Sequence, residues 1–433
     1  MYISGWGNNL VVKSNTIYPK NIYEIIGIIR DYKSKGILVR GMGRSYGDVA
    51  LNENIISLKY YKKILKLDEK NGCLECSSNV TISEINDLII SKGWFLNVTP
   101  GSKFVSVGGA IANDVHGKNH HRDGSFSDYL EEFDIIKDNG EVVSCSNKTN
   151  SELFHATCGG LGLTGVIINV KIKLLKINSK NIDVKIVKTN NFEQTIQKFK
   201  DLKDYKYLVA WTDTLSKKNN GRSIIFCGEH SNDGDLNYKK QKSFKIPSLL
   251  GFFLLNLICI RLFNLFYYLF HKDNQKMKKD INNFFYPLDT INNWNKLYGK
   301  DGFTQVQLLI KKNKDNKDLL VEIINYFRKK GFYSYLTTLK EYGEGNKNLL
   351  SFGEKGLSIT LDIALGNNFS DVYKEFEKKF SNEYIKIYLA KDSFMSKNFF
   401  KKSYSNFNNF NELQKKVNPN STFKSKLSKR LGL

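Results

Sequence analysis

At 433 residues the chain is too long for one ordinary hydrophobic core and implies two or three domains. Hydrophobic content of 41% against 25% charged residues excludes a disordered or fibrous chain. The 66 basic and 43 acidic side chains give a formal charge of +23, which favours polyanions, phosphorylated substrates or anionic lipid surfaces as partners; lysines solvated on helix faces are the plainer source of such a charge.

The N-terminus, MYISGWGNNL, has no basic stretch followed by an apolar one, so a cytoplasmic location is expected. Ile22, Ile25, Ile26 and Ile29 form the stripe of an amphipathic helix, with Asn21 as cap and Gly36 past its end. A strand at Ile37–Val39 then runs into RGMGRSYGD, Arg40–Asp48. Thr81-Ile-Ser-Glu84 reads as a capping box for a helix carrying Ile85, Leu88 and Ile89, stopped by Gly93. Short helices and strands alternate to about residue 180, an α+β or α/β pattern.

Near Asn178–Asn181 the pattern changes, and strands with strict alternation dominate to about 385. In TQVQLLI, Gln305 and Gln307 share one face; in GLSITLDIAL, Ser358, Thr360 and Asp362 share another. Between them KDLLVEIINYFRKKG is an amphipathic helix. Such a sheet buries one face under helices and leaves a polar face to line a cavity or to meet water. Ser248–His271 is the most apolar stretch, interrupted by Asn256, Arg261 and Asn264. Arg261 at its centre disfavours a membrane span and favours a monotopic or lid helix.

Six cysteines occur, and Cys73-Leu-Glu-Cys76 is formally C-x-x-C, but no second pair or histidine accompanies it. A structural role is expected and no metal site. No nucleic-acid motif accompanies the positive charge, so no nucleic acid is expected as a partner.

Two glycine clusters compete as nucleotide sites. GGLGLTG, Gly159–Gly165, contains G-x-G-x-x-G, yet the strand-like VIINVKIKL follows where a dinucleotide fold needs a helix. RGMGRSYGD misses the fingerprint but offers exposed backbone N–H groups with Arg40 and Arg44 beside them. TPGSKFVSVGGAIANDVHGKNHH, Thr99–His121, adds a third backbone-accessible run at Gly108-Gly109-Ala110. Three separated glycine-rich loops imply a long ligand threaded through the domain.

SGWGN, RGMGRSYGD, TPGSKFVSVGGAIANDVHGKNHHRDGSFSDYL, ELFHATCGGLGLTGVI, FFYPLD, LKEYGEGN and YLAKDS occur in that order. Together they resemble the FAD-dependent decaprenylphosphoryl-β-D-ribose oxidases, within the vanillyl-alcohol-oxidase-like flavoproteins with a PCMH-type FAD-binding domain. The resemblance runs nearly end to end and is weakest over about 181–280. It implies an α+β fold: a two-part FAD-binding domain at 1–180, completed by 386–433, and a substrate domain at 181–385 with a mainly antiparallel sheet covered by helices.

The resemblance also implies site residues. Arg40, Gly41, Gly43, Arg44, Ser45 and Tyr46, then Pro100, Gly101 and Ser102, then Gly108, Gly109, Ala110 and Asn113 match FAD-binding positions, as do His116, Gly117, Asn119 and Val166. Ser45 and Tyr46 stand where many relatives carry an FAD-linking histidine, so non-covalent FAD is implied. Lys391 matches the indispensable active-site lysine, with Tyr46 and His116 as further catalytic positions. Lys118, Tyr286, Gln305, Gln307, Lys340, Ser358 and Thr360 match the substrate pocket, Thr360 replacing a common cysteine and Ser358 an asparagine. Lys391, Tyr46 and His116 all remain open as the group that takes the hydroxyl proton, Lys391 foremost.

The implied activity is oxidation of the 2′-hydroxyl of a polyprenyl-phosphoryl pentose for a short-chain-dehydrogenase-type reductase partner, in cell-envelope glycan synthesis. A peripheral position on the inner face of the plasma membrane would follow. The alternatives are a flavoenzyme of soluble sugars, alditols or aldonolactones, and a non-enzymatic basic binding protein.

Overall fold

The computed structural model describes residues 1–216, 221–245, 247, 255–311 and 316–433. Local signals decide the early elements. Asn21 accepts from the Glu24 N–H at the start of helix Ile22–Asp31, and Ile25 and Ile29 on its stripe are buried. Thr81 and Glu84 close their capping box on helix Ile82–Ile89, whose following turn ends at Gly93 with φ +77°.

Strands Asn15–Ile17, Asn54–Ile56 and Leu38–Val39 form a small parallel sheet, which ends at the Arg40 loop. Next to it lies an antiparallel six-stranded sheet. Its path runs Val142–Ser146, Leu130–Ile136, Val166–Lys176, Cys73–Ser77, Leu65–Asp68, with Trp94–Leu96 on the far end of Val166–Lys176. Gly159, Gly162 and Gly165 all have positive φ and turn the chain into Val166–Lys176. They make a loop-to-strand turn, as the alternation after them requires. Cys73 and Cys76 lie three apart on one strand and so point to opposite faces.

The chain crosses into the second sheet between Lys176 and Asn181. This sheet is wholly antiparallel, with the order Lys276–Asp280, Asn181–Thr189, Ser223–His230, Tyr207–Thr212, Ser334–Tyr342, Gly356–Ala364, Phe303–Lys311, Ile385–Ile387. Leu208, Ala210, Val306, Leu308, Ile359 and Leu361 enter one core with residues of helices Phe192–Asp201, Asn316–Lys329 and Phe369–Phe380. Their strand neighbours Val209, Trp211, Gln305, Gln307 and Thr360 face the other way, onto a cavity. The fold is α+β.

The tail, 386–433, packs against both parts of the chain. Phe399, Phe400, Tyr404, Phe407, Phe410, Leu427 and Leu431 join a core that the large sheet shares with Val49, Ala156, Leu161 and Leu163 of the first domain. Phe423 instead packs with Ile25, Ile29 and Ile37, and Ile37 exchanges backbone hydrogen bonds with Thr422 (2.7 Å) and Lys424 (3.0 Å).

Two buried polar clusters tie the halves together. Asp114, at φ +38°, accepts from Ser127 Oγ (2.6 Å), Ser351 Oγ (2.6 Å), Asn346 Nδ2 (2.9 Å) and Asn348 Nδ2 (3.0 Å). Arg430 donates from Nε and Nη2 to Asp48 and from Nη2 to Asp392, each at 2.9 Å, and from Nη1 to the Met395 carbonyl. Both carboxylates are buried. Arg430→Met strands them, and the expected cost is about 3–5 kcal/mol, measured by urea unfolding. An unchanged midpoint would show that the triad does not hold the tail.

Candidate active site

The polar face of the large sheet and the glycine-rich loops of the first domain enclose a cavity of about 1150 Å3. That lies just above the roughly 300–1,000 Å3 of a small-ligand pocket.

One end is built from loops. Arg40, Gly41, Gly43, Arg44, Ser45, Pro100, Gly101, Ser102, Gly108, Gly109 and Asn113 all lie in its wall. Arg40 was expected to contribute charge, but its guanidinium donates to the Ser4 (2.7 Å) and Ala50 (2.8 Å) carbonyls and lies beneath Gly43. It sets the shape of the loop. A Cβ on Gly41 would stand 2.3 Å from Ser106 Oγ, so that position must be glycine for the two loops to meet. Arg44 stacks on Trp6, 4.2 Å from the ring centroid. Arg44 Nε, Ser45 Oγ and Asn113 Oδ1 are buried and have no partner among the described residues. Unpaired buried polar atoms beside open backbone suit a long polar ligand. FAD fits this donor set, and Ser45, Asn113 and the loop backbones would hold it.

The other end carries titratable groups. Gln305 lies opposite Asp362 in the strand register, and Gln307 opposite Thr360, which in turn neighbours Thr338. Gln305 Nε2 donates to Asp362 Oδ1 (2.5 Å) and reaches Tyr46 OH at 3.4 Å. Gln307 Nε2 donates to His116 Nε2 at 2.8 Å, which leaves the proton of a neutral ring on Nδ1. Lys391 Nζ sits 3.6 Å above the Tyr46 ring. Lys118 donates to the Phe284 (2.9 Å) and Phe285 (3.2 Å) carbonyls, and Lys340 to the Gly117 carbonyl (3.2 Å).

Burial disfavours charge at each of these groups. It pushes the Tyr46 phenol well above its ordinary value and His116 well below, the latter reinforced by Lys340. Lys391 is pushed down by burial, opposed by the Asp362 charge; Asp362 is pushed up by burial, opposed by Gln305 and then Lys391. Lys340 falls to about 8 through burial, and Lys118 to about 7 through burial and the Lys340 charge.

Several expected residues stand behind the wall rather than in it. Val166 is packed in the core with Ile136 and Ile168, while Gly165 and Ile167 on either side of it face the cavity. Ala110 belongs to the core of the six-stranded sheet. Asn119 donates to Asn97 O (2.7 Å) and Asp123 (2.6 Å), bracing the His116 loop. Tyr286 is fully buried, bonded to Thr99 Oγ1 (2.6 Å) and Asn86 (3.2 Å). Ser358 is buried on the cavity face of its strand without reaching the wall. Conversely, Lys279 in the wall and Asp362 behind it, under Gln305, were not expected as site residues. The alternation had placed Asp362 beside Thr360, and a carboxylate on an otherwise uncharged strand face was the available signal.

Residues 14–146 match the FAD binding domain family. Decaprenylphosphoryl-beta-D-ribose oxidase of Mycolicibacterium smegmatis is 28% identical over all of this chain and 97% of its own length. The chain is an FAD-dependent oxidoreductase similar to that oxidase. Two further relatives cover less. L-gulonolactone oxidase of Scyliorhinus torazame is 27% identical over 36% of each chain, and D-lactate dehydrogenase of Archaeoglobus fulgidus 28% identical over 39% of each.

No histidine or cysteine lies in the Arg40–Asp48 loop. Acid precipitation of the yellow enzyme is therefore expected to release its flavin into the supernatant; colour retained in the pellet would show a covalent link.

Proposed function

We propose that the enzyme oxidises the 2′-hydroxyl of a polyprenyl-phosphoryl pentose, resembling decaprenylphosphoryl-ribose, to the keto sugar. A short-chain-dehydrogenase-type reductase would then reduce it, in the synthesis of a cell-envelope glycan precursor. The observation that carries this reading is the lysine set. Lys118, Lys279 and Lys340 line the cavity; burial disfavours the charge of each, and at Lys118 the Lys340 and Lys279 charges add to it. Such lysines suit a phosphodiester, which restores their charge on binding. Val209, Trp211, Phe226, Phe263 and Leu336 continue the wall as an apolar stretch that suits a polyprenyl chain. The full-length similarity to the decaprenylphosphoryl-ribose oxidase supports the same reading.

FAD, when bound, supplies the two-electron acceptor for the carbinol C–H bond. The chain's own residues manage the hydroxyl proton. Tyr46 is held as a neutral phenol and His116 as a neutral imidazole whose Nε2 is engaged by Gln307. Lys391, held down by burial, is the group able to present a free amine. Gln305 and Asp362 fix the floor beside it. Oxidation of a soluble sugar, alditol or aldonolactone is the second reading, favoured by the partial similarity to L-gulonolactone oxidase and by Thr360 in the wall.

Lipid-linked ribose is expected to bleach the flavin anaerobically, whereas free sugars and lactones leave it oxidised; the reverse preference selects the second reading. Lys391→Ala should keep its flavin and lose roughly 10²–10⁴-fold in reduction rate. A free amine exists only above its pKa, so kcat/KM should fall as pH drops through that of Lys391. The Asp362 carboxylate raises that pKa, so Asp362→Asn should move the acidic limb to lower pH. A limb unmoved in this variant would exclude the pairing.

A further inference from the structure

Within the apolar stretch, helix Leu257–Phe270 is capped by Asn256, which accepts from the Ile258 and Cys259 N–H groups. One stripe holds it to the protein. Ile260 is buried; Asn264 donates to Asp213 at 2.8 Å; Tyr267 packs on Trp211 at 4.9 Å; and Tyr268 lies under Lys188 and Arg222. The opposite stripe is bare. Ile258 is 71% exposed, Phe266 52%, Leu269 59% and Phe270 79%, with Leu262 and Phe263 beside them. Contiguous exposure of this kind on a helix marks a docking face.

We propose that this face lies on an anionic lipid bilayer, with the helix in the plane of the interface. Three observations select that occupant. Fourteen residues span about 21 Å of helix, short of the roughly 30 Å hydrocarbon core, and among the described residues no helix is long and apolar enough to cross a membrane. The helix carries no carboxylate and exposed Arg261 lies within it, so its charge complements acidic headgroups. A two-fold pairing with a second copy would instead oppose two Arg261 side chains with no acid on either helix. Phe263 and Tyr267 also line the cavity, so the bilayer would meet its apolar end. The docking stands on the exposed face and holds whether the substrate is lipid-linked or soluble.

The flavin-loaded full chain is expected to float with vesicles of equimolar phosphatidylcholine and phosphatidylglycerol, and weakly with phosphatidylcholine alone. Phe266→Ser/Phe270→Ser should reduce vesicle binding by at least about tenfold at unchanged flavin content. Arg261→Glu should weaken binding to the anionic vesicles specifically. No flotation of the wild type, or equal flotation of the double serine variant, overturns the proposal. So does a dimer in solution that the serine variant dissolves without any vesicle binding.

Discussion

A guanidinium from the last helix, Arg430, joins the two loops that face each other across the cavity. It grips Asp48, which ends the RGMGRSYGD loop, and Asp392, which follows Lys391. The Tyr46 N–H donates to Ala390 O at 2.9 Å, and a Cβ on Gly47 would stand only 1.7 Å from the Asp392 carbonyl oxygen. The first loop can therefore seat against the Lys391 turn only with glycine at 47 and a cation between the acids. This contact holds Lys391 over Tyr46, and through Gln305 it reaches Asp362. The Arg40–Asp48 loop and the Lys391 turn are thus bound to each other although 345 residues separate Tyr46 from Lys391.

The cavity itself is electrostatically unbalanced. Lys118 and Lys340 rest on backbone carbonyls, which solvate an ammonium without neutralising it. Burying cations this way costs stability. The cost is intelligible if an anion arrives with the substrate, because the lysines then gain charge and partner together. Asp362 plays the complementary part beside Lys391, its carboxylate opposing the loss of charge that burial and Lys340 impose on that amine.

What the sequence disclosed follows the range of each interaction. Caps at Asn21 and Thr81 act within three residues, and strand alternation at Gln305–Gln307 acts within two; both were readable. The same alternation showed that GGLGLTG opens a strand and is no Rossmann loop. Pairings such as Asp48 with Arg430 have no local period and stayed hidden. Arg40 read as a phosphate cation because its type permits that, yet two carbonyls claim it. Val166, Ala110, Asn119, Tyr286 and Ser358 lie one layer behind the wall, a distinction of packing depth that matching motifs cannot supply.

On this reading one cleft between the domains would hold both flavin and carbohydrate, with Lys391 beside the reacting carbon. A crystal structure of the flavin-loaded enzyme with a ribose phosphodiester tests it most directly. The expected result is a flavin in the part of the cleft walled by the Arg40–Asp48 and Pro100–Asn113 loops, the sugar beside Lys391 and the phosphate on Lys118 and Lys340. A flavin seated elsewhere, or a sugar held away from Lys391, would contradict it.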